Sequence, residues 1–164
     1  MPKLVKNGEY VEDDPWVIIR DEGEVPAVNQ ACLVSLPAFL KLAEQQERQH
    51  DQLGVYLQPG DDPHELAAFV ETLPLIAVDF PIFTDGRAFS IARELREGLE
   101  YRGELRAIGN FIQDQLFYLR RCGVDAFLVP DDANIESIQH SLNDFSERYQ
   151  AAVDDPQPLF RRRA

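Results

Sequence analysis

The chain contains few of the residues that most often carry chemistry: two cysteines and three histidines in 164 residues. Cys32 and Cys122 lie far apart with no C-x-x-C spacing and no local histidine. Neither a structural zinc site nor a self-contained iron–sulfur site can therefore be built from cysteine. Both are expected to be reduced thiols in the core, with a redox pair as the sharper alternative. His50, His64 and His140 stand among polar neighbours in helical patterns or their flanks and read as surface residues rather than proton-transfer groups. No G-x-G-x-x-G, no G-x-x-x-x-G-K-[ST] and no G-x-S-x-G occurs. That removes the dinucleotide cradle, the P-loop and the nucleophile elbow. The pairs Asp61-Asp62, Asp131-Asp132 and Asp154-Asp155 are better explained by helix capping and solvation than by a divalent ion. The expected metal and cofactor complement is none.

Positive charge is also in short supply. Asp and Glu number 29 against 16 Lys and Arg, a net charge of −13. Nucleic acid and anionic membrane are poor partners for such a surface, because neutralising phosphates needs clustered cations. The exception, Arg161 to Arg163, ends a core-poor stretch. Residues 153–164 are expected to be a flexible tail behind a single domain over 1–152. No apolar run reaches the roughly 18 residues of a membrane span, and MPKLVKNGEY lacks a secretory h-region, so a cytoplasmic protein is expected.

With 45% hydrophobic residues, what is present is enough for one sizeable core. Asn7-Gly8 between short apolar runs predicts an antiparallel hairpin, since both turn residues tolerate positive φ. Trp16–Ile19 reads as a further strand and Asp21–Asn29 as a loop, so that 1–30 forms an N-terminal section. Apolar runs at Cys32–Val34, Gly54–Leu57, Leu75–Asp79, Leu105–Ile108 and Ala126–Val129 each precede a helical pattern. About five βα units predict an α/β fold with a mainly parallel sheet flanked by helices. An open sheet is the simplest arrangement, and a half-barrel completed by self-association is the rival.

Asp62-Pro63-His64-Glu65 supplies a helix start before the stripe Leu66, Phe69, Val70 and Leu73. A second stripe runs Ala88, Ile91, Ala92, Leu95 and Leu99. A third runs Ile135, Ile138, Leu142, Phe145 and Tyr149. A helix over Asn110–Cys122 would bury Phe111, Ile112, Leu116, Tyr118, Leu119 and Cys122 on one arc. Gln115 lies within that arc, as a structural clamp or a ligand contact, and Phe117 lies opposite, where with Phe89 it could serve a partner surface.

Ligands of parallel sheets bind beyond the carboxyl ends of the strands. The loop from Asp79 to Arg87 occupies such an end: Thr84 or Asp85 can cap the following helix, Gly86 admits a close backbone, and Arg87 offers a fork of donors to a small oxyanion. Asn110, Gln113 and Asp114, after the next strand, could complete a polar pocket. Plain architecture explains the same residues about equally well, with Arg87 paired to Asp79 or Asp85 and Asn110 as a cap.

Two segments, DFP-x-FTDGR-x-FS-x-AR-x-LR from Asp79 and DQL-x-YLRRCG-x-DAF from Asp114, together with MPKLVKNGEYVEDD, carry a resemblance. They resemble a bacterial family of unknown function whose members are labelled as oxidoreductases of sulfite reduction and are typically encoded beside the sulfite reductase haemoprotein. The resemblance implies a role in sulfur assimilation and the haemoprotein as partner, and it leaves catalysis undecided. Six-electron sulfite reduction runs through metal centres or flavin, and no motif for either is visible, so an accessory protein is the leading expectation. A carrier or enzyme acting on sulfite or a related oxyanion, and a self-associating scaffold, are the alternatives.

Overall fold

A computed structural model describes residues 1–21, 27, 29–45 and 50–143. The tail 153–164, Phe145, Tyr149, most of the 21–29 loop and the side chain of His50 lie outside the described residues. The Asn7-Gly8 turn forms as its residue types require, with φ of 52° and 82°. It joins β1 (Lys3–Lys6) to β2 (Glu9–Val11) in an antiparallel ribbon. β3 (Val17–Ile18), β4 (Cys32–Ser35), β5 (Leu53–Leu57), β6 (Leu75–Phe80), β7 (Glu104–Gly109) and β8 (Ala126–Val129) follow. All eight strands belong to one sheet of order β2-β1-β8-β7-β6-β5-β4-β3.

Six strands rather than five are parallel, because the short Trp16 segment pairs with β4 instead of standing apart. The hairpin likewise docks, β1 running antiparallel to β8. Consecutive parallel strands are neighbours throughout, so right-handed crossovers put every helix on one face. Among the described residues the sheet is covered by helices on one side only.

Those helices are α1 (Leu36–Gln45), α2 (Arg87–Arg93) continuing as a π-helical turn (Glu94–Gly98), α3 (Leu116–Arg121) and α4 (Ile135–Leu142). The Ser35 hydroxyl accepts from the Ala38 amide at the start of α1, and the Asn134 side chain accepts from the Ser137 amide at the start of α4. The main core packs Phe39, Ile91, Leu95, Leu119 and Ile138 against Val55, Ile76, Val78 and Phe80 of the strands. Alternate strand residues Leu33, Tyr56, Leu75, Ala77 and Ile108 form a second cluster on the other, concave face, with Trp16, Ile18 and Leu128.

Two predicted helices are shorter than expected. After the Asp62 cap, which accepts from the His64 amide, only a 3₁₀ turn Pro63–Leu66 forms. The Thr72 hydroxyl then takes the Phe69 carbonyl, and Pro74 closes the segment. Around 110–122 the helix begins only at Leu116, after a 3₁₀ turn Gln113–Gln115. The predicted arc is therefore corrected: Leu116, Leu119 and Cys122 are buried, Ile112 and Tyr118 are exposed, and Phe117 is half-buried. Cys32 and Cys122 are both buried, and His64 and His140 are exposed. No helix among the described residues is long and apolar enough to cross a membrane.

Residues 12–16 join β2 to β3, the two opposite edges, and lie against the concave face. Asp14 accepts from both terminal nitrogens of Arg106, at 2.7 and 3.2 Å. Trp16 packs where Gly54 has no side chain: a Cβ there would stand 2.9 Å from Leu33, 3.0 Å from the Leu75 carbonyl and 3.2 Å from the Trp16 ring. Gly54→Ala is expected to cost about 1–3 kcal/mol by overpacking, read as a lower urea midpoint at unchanged m-value. A neutral result would show that Trp16 is not seated against this backbone.

Candidate functional site

The carboxyl ends of β6 and β7 are adjacent, Asp79 opposite Ile108 and Phe80 opposite Gly109. Their loops are stitched into one rim. The Asn110 amide donates to the Phe80 carbonyl at 2.6 Å and its side chain to the Pro81 carbonyl at 2.8 Å. Gln115 acts as the clamp: its side-chain oxygen accepts from the Ile112 amide and its nitrogen donates to the Phe83 carbonyl, each at 3.0 Å.

On the concave side of this rim lies a hollow of about 500 Å³. Asp79, Gly109 and Asn110 line it together with Arg20, Gln58 and Ile18. The period of two along β6 puts Asp79 on the concave face after Leu75 and Ala77. Its carboxylate is 1% exposed and accepts both terminal nitrogens of Arg20, at 2.6 and 3.0 Å. Arg20 also lies over the Tyr56 ring, 5.3 Å from its centre. The hydrogen bonds to Asp79 hold the Arg20 guanidinium above its ordinary range, against the opposing effect of burial. Burial here does not seal the pair, since the Arg20 side chain is 49% exposed.

The remaining predicted residues are elsewhere. Asp85 and Arg87 close on each other outside the hollow, with the Arg87 Nε and Nη2 on the Asp85 carboxylate at 2.7 to 3.2 Å. The Arg87 guanidinium holds Asp85 below its usual range, and Asp85 in turn raises Arg87. Thr84 is exposed on the rim, and Gly86 has an ordinary φ of −79°. Gln113 donates to Ser137 and Ser141 of α4, and Asp114 is exposed in the first turn of its 3₁₀ segment. The structure thus brings Asp79 and Asn110 together in the hollow and leaves Thr84, Asp85, Gly86, Arg87, Gln113 and Asp114 outside its lining.

Arg20, Gln58 and the Tyr56 ring escape a sequence reading. The one available signal for Arg20 is its position directly after the Trp16–Ile19 run, at a strand's carboxyl end as Asp79 is. Gly109 is required twice over. Its φ is +90°, and a Cβ would lie 2.5 Å from the Phe80 carbonyl and 2.7 Å from Asp79 Oδ1. Among the described residues no cluster of His, Cys, Asp or Glu could hold a metal ion.

An α/β protein with one sheet, a single layer of helices and a polar hollow at the ends of its parallel strands is the class these features define. The chain belongs to the family described as Bacterial protein of unknown function (DUF934), whose model matches residues 54–160. That span holds both rim loops. No curated protein matches the chain.

Gly109→Ala is expected to lower stability by about 1–3 kcal/mol through strained backbone and to displace the Asp79 carboxylate. Urea unfolding and the Arg20 Nε–H NMR signal read the two effects, and an unshifted Arg20 signal would separate Gly109 from the ion pair. Because Asp85 is depressed, its contribution is present above the ordinary Asp range and lost as pH falls through its folded-state value. Carboxyl carbon titration should place Asp85 below an ordinary Asp, and Arg87→Ala should return it upward.

Proposed function

We propose that this protein is a cytoplasmic accessory protein of assimilatory sulfite reduction that docks on the sulfite reductase haemoprotein. The resemblance of its two motif segments to the sulfite-reduction family supports the pathway. The observation that carries the docking is that those same segments expose Ile82, Phe83 and Tyr118, and the turn just before the second exposes Ile112. Exposed large apolar side chains gathered on a strongly charged protein mark an interaction surface. The net charge of −13 adds steering toward a basic partner. Accessory rather than reductase is the reading because no sequence motif for flavin, haem or an iron–sulfur cluster is visible.

A second reading places sulfite or a related small oxyanion at the strand ends, as carrier or enzyme, and the open hollow beside the rim favours it. The docking reading is tested with purified haemoprotein and the tagged full chain. Complex formation is expected at low salt, weakened at raised salt. The Phe83→Asp variant should weaken it by more than about tenfold, as loss of a central apolar anchor does. Clean separation of the two proteins at micromolar concentration would remove the proposal. Light scattering on the free chain shows whether a second copy occupies the same rim instead.

A further inference from the structure

We propose that the hollow binds a small organic monoanion, its carboxylate or sulfonate head on the Arg20 guanidinium and its apolar body against the aliphatic walls. The inference deepens the strand-end anion reading and rests on it. Both members of the ion pair line the hollow, and the first support is which of them is accessible. Asp79 is 1% exposed and Arg20 is 49% exposed, so a guest meets the cation and not the carboxylate. A guanidinium has five N–H donors. Asp79 takes two of them, and the other three have no partner among the described residues.

Bidentate pairing and the Tyr56 ring hold the fork in place before anything binds, which lowers the ordering cost of binding. The second support is the charge balance. Arg20 and Asp79 together are neutral, so an anion is held by the exposed guanidinium donors rather than by net charge, and a dianion would bring two charges beside a buried carboxylate. The third is the remaining wall: Pro2, Ile18, Pro81, Leu128 and Pro130. An inorganic oxyanion would leave that surface wetted. An organic body displaces the water, and about 500 Å³ lies within the range of small-molecule sites.

The test is an NMR titration of the full chain with benzoate, and separately with inorganic sulfite, at fixed ionic strength. Benzoate should shift the Arg20 Nε–H and the Gly109 and Asn110 amides in a saturating manner. Sulfite should act on the same signals at least about tenfold more weakly. Arg20→Gln should weaken benzoate by about tenfold or more, while Arg87→Ala leaves it unchanged. Should Arg20→Gln fail to fold, the shift map of the unaltered protein decides alone. Sulfite binding as tightly as benzoate at Arg20, or either anion shifting Asp85 and Arg87 instead, would overturn this inference and keep the strand-end anion reading. Absence of binding by both anions would end the two together.

Discussion

A short connection between the two edges of the sheet sets the shape on which everything else depends. β2 and β3 are the outermost of eight strands, so in a flat sheet they would stand seven spacings apart, about 34 Å. The chain passes from Val11 to Val17 in six residue steps, which span at most about 20 Å when fully extended. The sheet has to curl. Arg106, 1% exposed, then anchors the connection through Asp14 and is further compensated by Glu104, which Lys6 joins. A buried guanidinium is tolerable only in such full company, and the company comes from the connection, from β7 itself and from β1.

The curl also gives the concave face two different ends. Arg106 and Ile108 share that face, with Arg106 nearer the amino ends of the strands, where Asp14 and Trp16 fill the space. Asp79 lies opposite Ile108, at the carboxyl end, where the hollow opens. The polarity of the site therefore follows from the direction of the strands and from which end the connection occupies. The sheet order shows no reversal, so the crevice of a doubly wound fold has no place here, and the hollow opens instead at the mouth of the curl.

What was legible in the chain is what local physics decides. Asn7-Gly8 makes its turn whatever surrounds it, five apolar runs become β4 to β8, and Asp62 caps as written. The stripe from Leu66 to Leu73 failed as a helix because Thr72 and Pro74 offer the backbone competing arrangements that periodicity does not register. β3, two residues long, is a strand only through β4, and the single helical layer follows from strand order, which no window of sequence contains. Strand-end logic pointed to Asp79 and Asn110, which line the hollow. Arg87 follows the architectural of its two expected roles, its fork paired to Asp85 two residues away. Arg20 was missed because its partner is 59 residues and three strands distant.

Fold and site are coupled through charge. Asp79 and Arg106 are the buried charged residues of the described chain, both on the concave face, and both draw partners from the first twenty residues. Arg106 retains Glu104 from its own strand, whereas among the described residues Asp79 has Arg20 alone as an ion-pair partner. The family match begins at residue 54, so it contains both buried charges and neither N-terminal partner. A sheet beginning at β5 would thus carry a carboxylate it cannot satisfy, at the point where Gly109 holds the backbone closest. The cost of that buried carboxylate is what makes Arg20 part of the fold. The half-exposed face of the same guanidinium is what makes it available to a guest.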